Sequence, residues 1–470
     1  MAEKLKQIMK TFSLKHISLL IGISAVLFSC NTTRHFQQDE INTEGLFGTE
    51  QTDSVTMADQ AWQELFSDPY LKDLIAEGLN NNPDLQIAAQ RVLEAEAYLK
   101  QSKASLLPGI SAKAVDNYTR NSESIYPDGP RDVNTYQLGL EASWEVDIWG
   151  KLRSSKRAAY ADLLATDAGK KAVQTLLISN IAMAYYNLTS LDAKLAITKQ
   201  TVENNIDLVE TMKVLKASGQ VTGAAIVQSE AARYAAEVTI PDWEQQIRET
   251  ENALSMMLGR VPGAIQRSEL SEQQIGALLK TGVPSQLLEN RPDVMQAEYS
   301  VMSAFEMTNS ARGYFYPALT FTASSGFAAT DLDELLDPAS FAANVLGGLT
   351  APLFNKRANV TRLNVAKAQQ EEALISLHST LLNAGQEVNN ALSLYETSDK
   401  KMSLRTQQLE ALEKSVEYTK ELLTYGSSTY TEVLNAQQSL LAAQLNNVDD
   451  HLQQLNAIVS LYRALGGGWK

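Results

Sequence analysis

Three carboxylates, Glu141, Glu145 and Asp147, stand close together in the stretch TYQLGLEASWEVDIW. If that stretch is a strand, all three point to the same side. Acid gathered on one side of a strand suits a water-filled lumen that attracts cations, or simply a solvated wall. Catalysis finds less support. His16, His35, His378 and His451 are scattered, and no His-Glu-x-x-His, P-loop, Gly-x-Ser-x-Gly or Cys-x-x-Cys occurs. The remaining carboxylates sit mostly at helical spacing that suits i,i+4 surface pairs better than acid–base work. No catalytic residue, metal ligand or cofactor is expected, and the chain does not read as an enzyme. Its 11 methionines form no Met/His cluster of the kind a copper route would use.

The charge balance narrows the partners. The 470 residues hold 55 Asp and Glu against 40 Lys and Arg, a net charge of −15. A surface that tracks phosphates needs clustered Lys and Arg, so nucleic acid is not an expected partner. Cys30 is the only cysteine. It follows a basic start (Lys4, Lys6, Lys10, Lys15), the apolar run ISLLIGISAVLF at 17–28, and Ser29. This is the layout of a secretory signal, and the apolar run is too short to span a bilayer comfortably. Two readings of LFSC at 27–30 are open: a lipoprotein box with cleavage before a lipidated Cys30, or a plain signal peptide with an incidental cysteine. No later stretch is long and apolar enough for a membrane helix, so any membrane span must be made of strands.

Strands are the elements that must position the carboxylates. Tyr136, Leu138, Leu140, Ala142, Trp144, Val146 and Ile148 alternate with Gln137, Gly139, Glu141, Ser143, Glu145 and Asp147. One face is apolar and one polar. The period suits a strand half-buried on a soluble core, or a barrel strand with lipid outside and water inside. ISAKAVDNYTR at 110–120 alternates more weakly and is its expected hairpin partner across the polar loop at 121–132. Further along, Leu319, Phe321, Ala323 and Phe327 alternate with Thr320, Thr322, Ser324 and Ala328, and SFAANVLGGLTAPLF repeats the pattern from Phe341 to Leu349.

The chain is therefore built twice. Pro83 and Pro108 stand 25 residues apart, as do Pro292 and Pro317, and the second pair follows the first at an interval of 209. After each strand pair comes a long stretch free of proline, from Ser154 to Ser218 and from Lys356 to Tyr425. At 1.5 Å per residue such helices reach roughly 100 Å. Leu409, Leu412, Val416 and Leu423 keep a heptad-like seam suited to coiled-coil packing. Each long helix ends in a turn of small residues, SGQVTG at 218–223 and YGSSTY at 425–430, and a returning helix is expected after each. The expected layout is a signal peptide at 1–29, a lipidated tether at 30–58, and two repeats at 59–261 and 262–470. The expected fold class is mainly α with a membrane β-barrel, each repeat giving two β-strands and long antiparallel helices. Four strands cannot close a barrel, so the chain must pool strands with copies of itself. Three copies give a homotrimeric, 12-stranded β-barrel continued by an α-helical tunnel.

NNPDLQIAAQRVLEAEAYLKQSKASLLP, SWEVDIWGKLR, NRPDVMQAE, YGSSTYTEVLNAQQSLLAAQ and the terminal LYRALGGGW resemble TolC-type outer-membrane efflux proteins. The likeness is narrower still to the lipoprotein branch serving resistance-nodulation-division (RND) pumps. The resemblance implies a homotrimer in the outer membrane that is lipid-anchored at Cys30, spans by β-strands and extends helices into the periplasm. It implies docking to a periplasmic adaptor and an inner-membrane RND transporter, and export of small molecules such as drugs. The adaptor would meet the helical tips at Ser218, Gly219, Gly223, Gly426 and Ser427. Many relatives carry an Asp that lines the closed periplasmic end, in a pattern like Tyr-x-x-Leu-Leu-Asp-Ala-Gln. Here YTEVLNAQ puts Asn435 at that position, with Glu432 one turn earlier as a possible acidic substitute. Asn435 is expected to narrow a resting gate, and Glu141, Glu145 and Asp147 to give the lumen a cation preference. Two rival readings stay open: the exit duct of a type I secretion system, and a helical lipoprotein scaffold with no channel.

Overall fold

The computed structural model describes residues 33–36, 46, 56–125, 127–273, 282 and 284–470. Cys30 and the expected signal peptide lie outside the described residues.

The first repeat opens with α1 (Pro69–Asn81) and α2 (Pro83–Ala104). Asp68 starts α1: its Oδ1 accepts from the Tyr70 amide at 2.8 Å, and Pro69 occupies the first helical position, where an amide would go unused. Asn82 starts α2 in the same way, accepting from the Leu85 amide at 3.0 Å. Strands β1 (Gly109–Arg120) and β2 (Asp132–Val146) follow, then α3 (Lys151–Ala217), α4 (Gly223–Glu237) and α5 (Ile240–Met257). The second repeat runs α6 (Pro292–Gly313), β3 (Ala318–Ala329), β4 (Phe341–Thr350), α7 (Ala358–Thr424) and α8 (Tyr430–Ala464). Equivalent elements match closely. α2 and α6 each have 22 residues, and α3 and α7 each have 67.

The returning arms differ. The sequence suggests one returning helix after each turn. In the second repeat α8 is continuous over 35 residues, but in the first the arm breaks into α4 and α5 at Val238–Thr239. Pro241 is the cause. It has no amide to donate, and its ring excludes the carbonyl one turn earlier, so α4 cannot run on and α5 starts anew.

The chain divides into two compact units. One comprises residues 1–41, 93–165 and 297–377 and contains the sheet. The strands lie in the order β1-β2-β3-β4, antiparallel throughout. Register places Ile110 opposite Ala142, Trp144 opposite Phe321, Leu138 opposite Phe327, and Ala323 opposite Val345. Because side chains alternate, these all fall on one face, which is apolar across all four strands. Ser111, Lys113, Gln137, Glu141, Thr322, Ser324 and Asn344 fall on the other. Among the described residues no apolar layer covers the apolar face: Val345 is 77% exposed and Leu349 65%. In the same unit Arg34 is pinned to α6, since Asn309 accepts from its amide at 3.2 Å and donates to its carbonyl at 2.9 Å.

The other unit comprises residues 42–92, 166–296 and 378–470. Its core is fully buried and aromatic-rich, with Phe66, Ile75, Ile178, Ile181, Tyr185, Tyr186 and Tyr462. Asp68 is buried there as well. It accepts from the Tyr185 hydroxyl at 2.6 Å and from the Gln273 amide at 2.7 Å, so the buried carboxyl has hydrogen-bond partners.

Candidate functional site: a strand wall and the helical tips

Two regions carry the expected functional residues. The first is the polar face of the sheet. Glu141 lies on it, exposed, opposite Ser111. Glu145 lies on the same face opposite Thr320, but its carboxylate forms an ion pair with Lys151, at the start of α3. Asp147 corrects the reading of three lumen carboxylates. It lies beyond the last residue of β2, and its side chain is only 8% exposed. Its oxygens accept from the amides of Leu152 at 3.0 Å and Arg153 at 2.8 Å, and from the Arg153 guanidinium at 3.2 Å. Asp147 caps α3, where free amides and the helix dipole favour an anion. The period-two pattern runs through Asp147 and Ile148, so alternation by itself does not reveal where the strand ends.

Lys113 is the lumen candidate that attention to carboxylates passes over. It is exposed, pairs with Gly139 on β2, and so shares the polar face with Glu141. The alternation of Ile110, Ala112 and Ala114 against Ser111 and Lys113 already placed it there. Among the described residues, neither Lys113 nor Glu141 is in an ion pair, whereas Glu145 is. Between the two lies a bare patch. Gly139 faces Gly326 directly across β2 and β3. A Cβ at 139 would stand 2.5 Å from the Ser325 carbonyl oxygen, and one at 326 would stand 2.3 Å from that of Leu138. Only glycine allows the backbones to approach on this face, and the result is a shallow recess beside Lys113, Gln137 and Glu141.

Aromatic residues gather where the strands meet α3. Trp149 stacks on Tyr316 with ring centroids 5.0 Å apart and donates to the Pro317 carbonyl at 2.7 Å. Lys151 lies over the Tyr314 ring, 4.6 Å from its centre.

The second region is the pair of helical turns. Gly219 and Gly426 have φ of +79° and +71°, a conformation that side chains with a Cβ resist. Each closes its helix in the same way. The Gly219 amide donates to the Lys216 carbonyl and that of Gln220 to Leu215, while the Gly426 amide donates to Leu423 and that of Ser427 to Leu422. Nothing lies within 4 Å of the Cβ position at either glycine. Ser218, Gly219, Gly426 and Ser427 are all exposed, and Gly223 opens α4. Below the turns the two hairpins share one apolar cluster, with Leu208 and Met212 of α3, Ala225 of α4, Leu423 of α7, and Val433 and Leu434 of α8.

Asn435 and Glu432 sit on the first turns of α8 above this cluster. Val433, Leu434 and Ala436 face inward and Asn435 is exposed. Glu432 belongs to a capping box: its Oε2 accepts from the Ser428 hydroxyl and, at 3.2 Å, from the Thr429 amide. The Ser428 hydrogen bond, then that of Thr429, holds the carboxyl below its ordinary range.

A third feature was visible in the sequence only as the repeated Pro-Asp motif. Asn82 donates to the Met257 carbonyl at 2.8 Å, tying the start of α2 to the end of α5. In the second repeat Arg291 does the same work, donating to the Ala464 carbonyl at 2.8 Å. Arg291 is 6% exposed and also holds Asp293 at 2.6 Å and Glu387 at 2.7 Å. These clamps fix the hairpins at the end away from their turns.

Among the described residues there is no group of His, Cys, Asp and Glu that could hold a metal ion, and no helix long and apolar enough to cross a membrane.

Against known proteins, the family model described as outer membrane efflux protein matches residues 74–260 and 283–467. The cation efflux system protein CusC of Escherichia coli O6:H1 is 28% identical over 454 residues, covering 95% of this chain and 98% of that protein. The solvent efflux pump outer membrane protein SrpC of Pseudomonas putida is 29% identical over 410 residues, 87% of each chain. Among solved structures, the outer-membrane channel OprN has the same fold, with a TM-score of 0.87 at 22% identity over 94% of this chain and 100% of that one.

Proposed function

The chain belongs to the outer membrane efflux protein family, and from that premise we propose that it works as a trimeric exit duct for small solutes in a tripartite pump. The observation that carries the reading is the four-stranded sheet. One face is apolar and uncovered, the other polar, and among the described residues its outer strands β1 and β4 have no further strand partner. A sheet with open edges cannot rest in hydrocarbon, because its unpaired amides and carbonyls have no water there. Pairing β4 of one copy with β1 of the next removes every edge, and three copies give a closed barrel of twelve strands.

The partners are those that the family likeness implies. A periplasmic adaptor that meets Ser218, Gly219, Gly223, Gly426 and Ser427 would engage both hairpins at once, and an inner-membrane RND transporter would lie beyond it. Relatives are named for cation and solvent efflux, which supports small solutes as cargo. Lipidation at Cys30 would anchor the start of the chain to the same membrane. The chemistry needed is passage rather than catalysis, so no enzymatic role is assigned. Asn435 stands exposed beside the turn of α8, where a ring of three copies would narrow the tube.

The test is conductance of the lipid-reconstituted protein in a planar bilayer, beside Asn435→Ala. Discrete steps, larger in the variant, are the expected result. An unheated sample that migrates as a monomer, together with a silent bilayer, would reject the duct.

A further inference from the structure

The corrected charges on the polar face change what the barrel selects. Within the four strands that face carries Lys113, Glu141 and Glu145. Lys151 neutralises Glu145 from the start of α3. Asp147 is spent on the cap of α3. One unpaired positive and one unpaired negative side chain remain. Register fixes their relation: Lys113 pairs with Gly139, and Glu141 lies two residues further along β2 on the same face. Diagonal neighbours of this kind stand about 7–8 Å apart, within one Debye length of about 10 Å at 0.1 M salt. The side chains lining the strip between them add no charge: Gln137, Gly139, Ser324 and Gly326.

We propose that Lys113 and Glu141 form a charge-compensated belt on the lumen wall, so that the barrel passes solutes of either sign and does not filter for cations. This rests on the reading of the polar face as the lumen. In a trimer the belt holds three ammonium and three carboxylate groups. A solute carrying both charges meets a partner for each, and one carrying a single charge meets a belt with no net charge. The Gly139–Gly326 pair keeps the wall bare between the charges, leaving both side chains free to reach water.

The experiment reads the local field directly. The full chain carrying Lys113→Cys is reconstituted in liposomes with its strand loops outward. It is labelled from outside with a cationic (trimethylammonioethyl) or an anionic (sulfonatoethyl) methanethiosulfonate. The unsubstituted protein serves as the blank for Cys30. Expected are rapid labelling at position 113, slow labelling of an Ala114→Cys variant on the apolar face, and a cationic-to-anionic rate ratio well above that for free cysteine. Adding Glu141→Gln should lower that ratio at least about threefold, since one charge at this distance attracts one reagent and repels the other. In the mirror experiment, Glu141→Cys should favour the anionic reagent until Lys113→Gln is added. Equal ratios with and without the partner charge, at a position that labels readily, would overturn the belt and leave the channel standing. Labelling of Ala114→Cys as fast as Lys113→Cys would overturn the assignment of faces, and the lumen reading with it.

Discussion

Single side chains here are mostly employed in holding backbone ends, and that decides which of them are free to act on a solute. Arg291 ties the start of α6 to the last carbonyl of α8 and to two carboxylates. Truncating it strands a buried carbonyl and removes the cation from Asp293 and Glu387. Arg291→Ala should therefore destabilise the folded chain by about 2–3 kcal/mol, discounted for the solvent that reaches both carboxylates. Thermal unfolding in detergent checks this, and an unchanged midpoint would show the clamp to be dispensable. Glu432 makes a pH-dependent prediction. Its folded pKa is lowered, so the capping box contributes fully above the carboxyl's unfolded pKa and is lost as pH falls through the folded value. Hydrogen exchange of the Thr429 amide, corrected for intrinsic rate, should be flat near neutrality and lose protection below about pH 4. Glu432→Gln should abolish that dependence. The same carboxylate is thereby committed to the turn, which weakens its candidacy as an acidic gate ring.

At the scale of elements, the two glycine-closed turns set where each long helix stops. α3 and α7 end on Gly219 and Gly426, which share the left-handed conformation and the same pair of closing hydrogen bonds. Because nothing crowds either Cβ position, alanine would cost only backbone strain. Gly426→Ala should destabilise the turn by about 1 kcal/mol and speed exchange of the Ser427 amide roughly fivefold. Identical exchange in the variant would mean that the turn tolerates a side chain there. Global stability should hardly move, since the apolar cluster below the turns is untouched. The split of the first returning arm at Pro241 makes the two hairpins unequal.

At the scale of the molecule, the uncovered apolar face of the sheet is a statement about solvent. Val345 lies on that face and Asn344 on the other, one residue apart. Arg at a lipid-facing barrel position costs about 2–4 kcal/mol near the midplane, and three copies multiply the loss. Val345→Arg should thus prevent assembly of a heat-modifiable oligomer, while Asn344→Arg should assemble normally. Electrophoresis of unheated membranes distinguishes them. Equal assembly by both variants would show that neither face meets lipid.

The sequence by itself determined the elements and their duplication. Proline spacing, strict alternation and long proline-free runs are local signals, and β2, α3, β3, β4 and α7 came out close to the expected spans. Alternation also put Glu141 on the polar side of its own strand, whereas the register of β1 on β2 is what brings Lys113 to that same face. What tertiary structure decided was the employment of those side chains. Alternation continues through Asp147, yet that carboxylate serves the amides of α3, because the chain turns there and brings them within reach. Glu145 looks identical to Glu141 in the pattern, but only Glu145 meets Lys151. Arg291 reads as one residue of a Pro-Asp motif until the end of α8, far along the chain, arrives beside it. Charge pairing, capping and burial depend on what other parts of the chain bring close. Periodicity along the chain cannot encode that, and so the lumen's balance of charge became readable only in three dimensions.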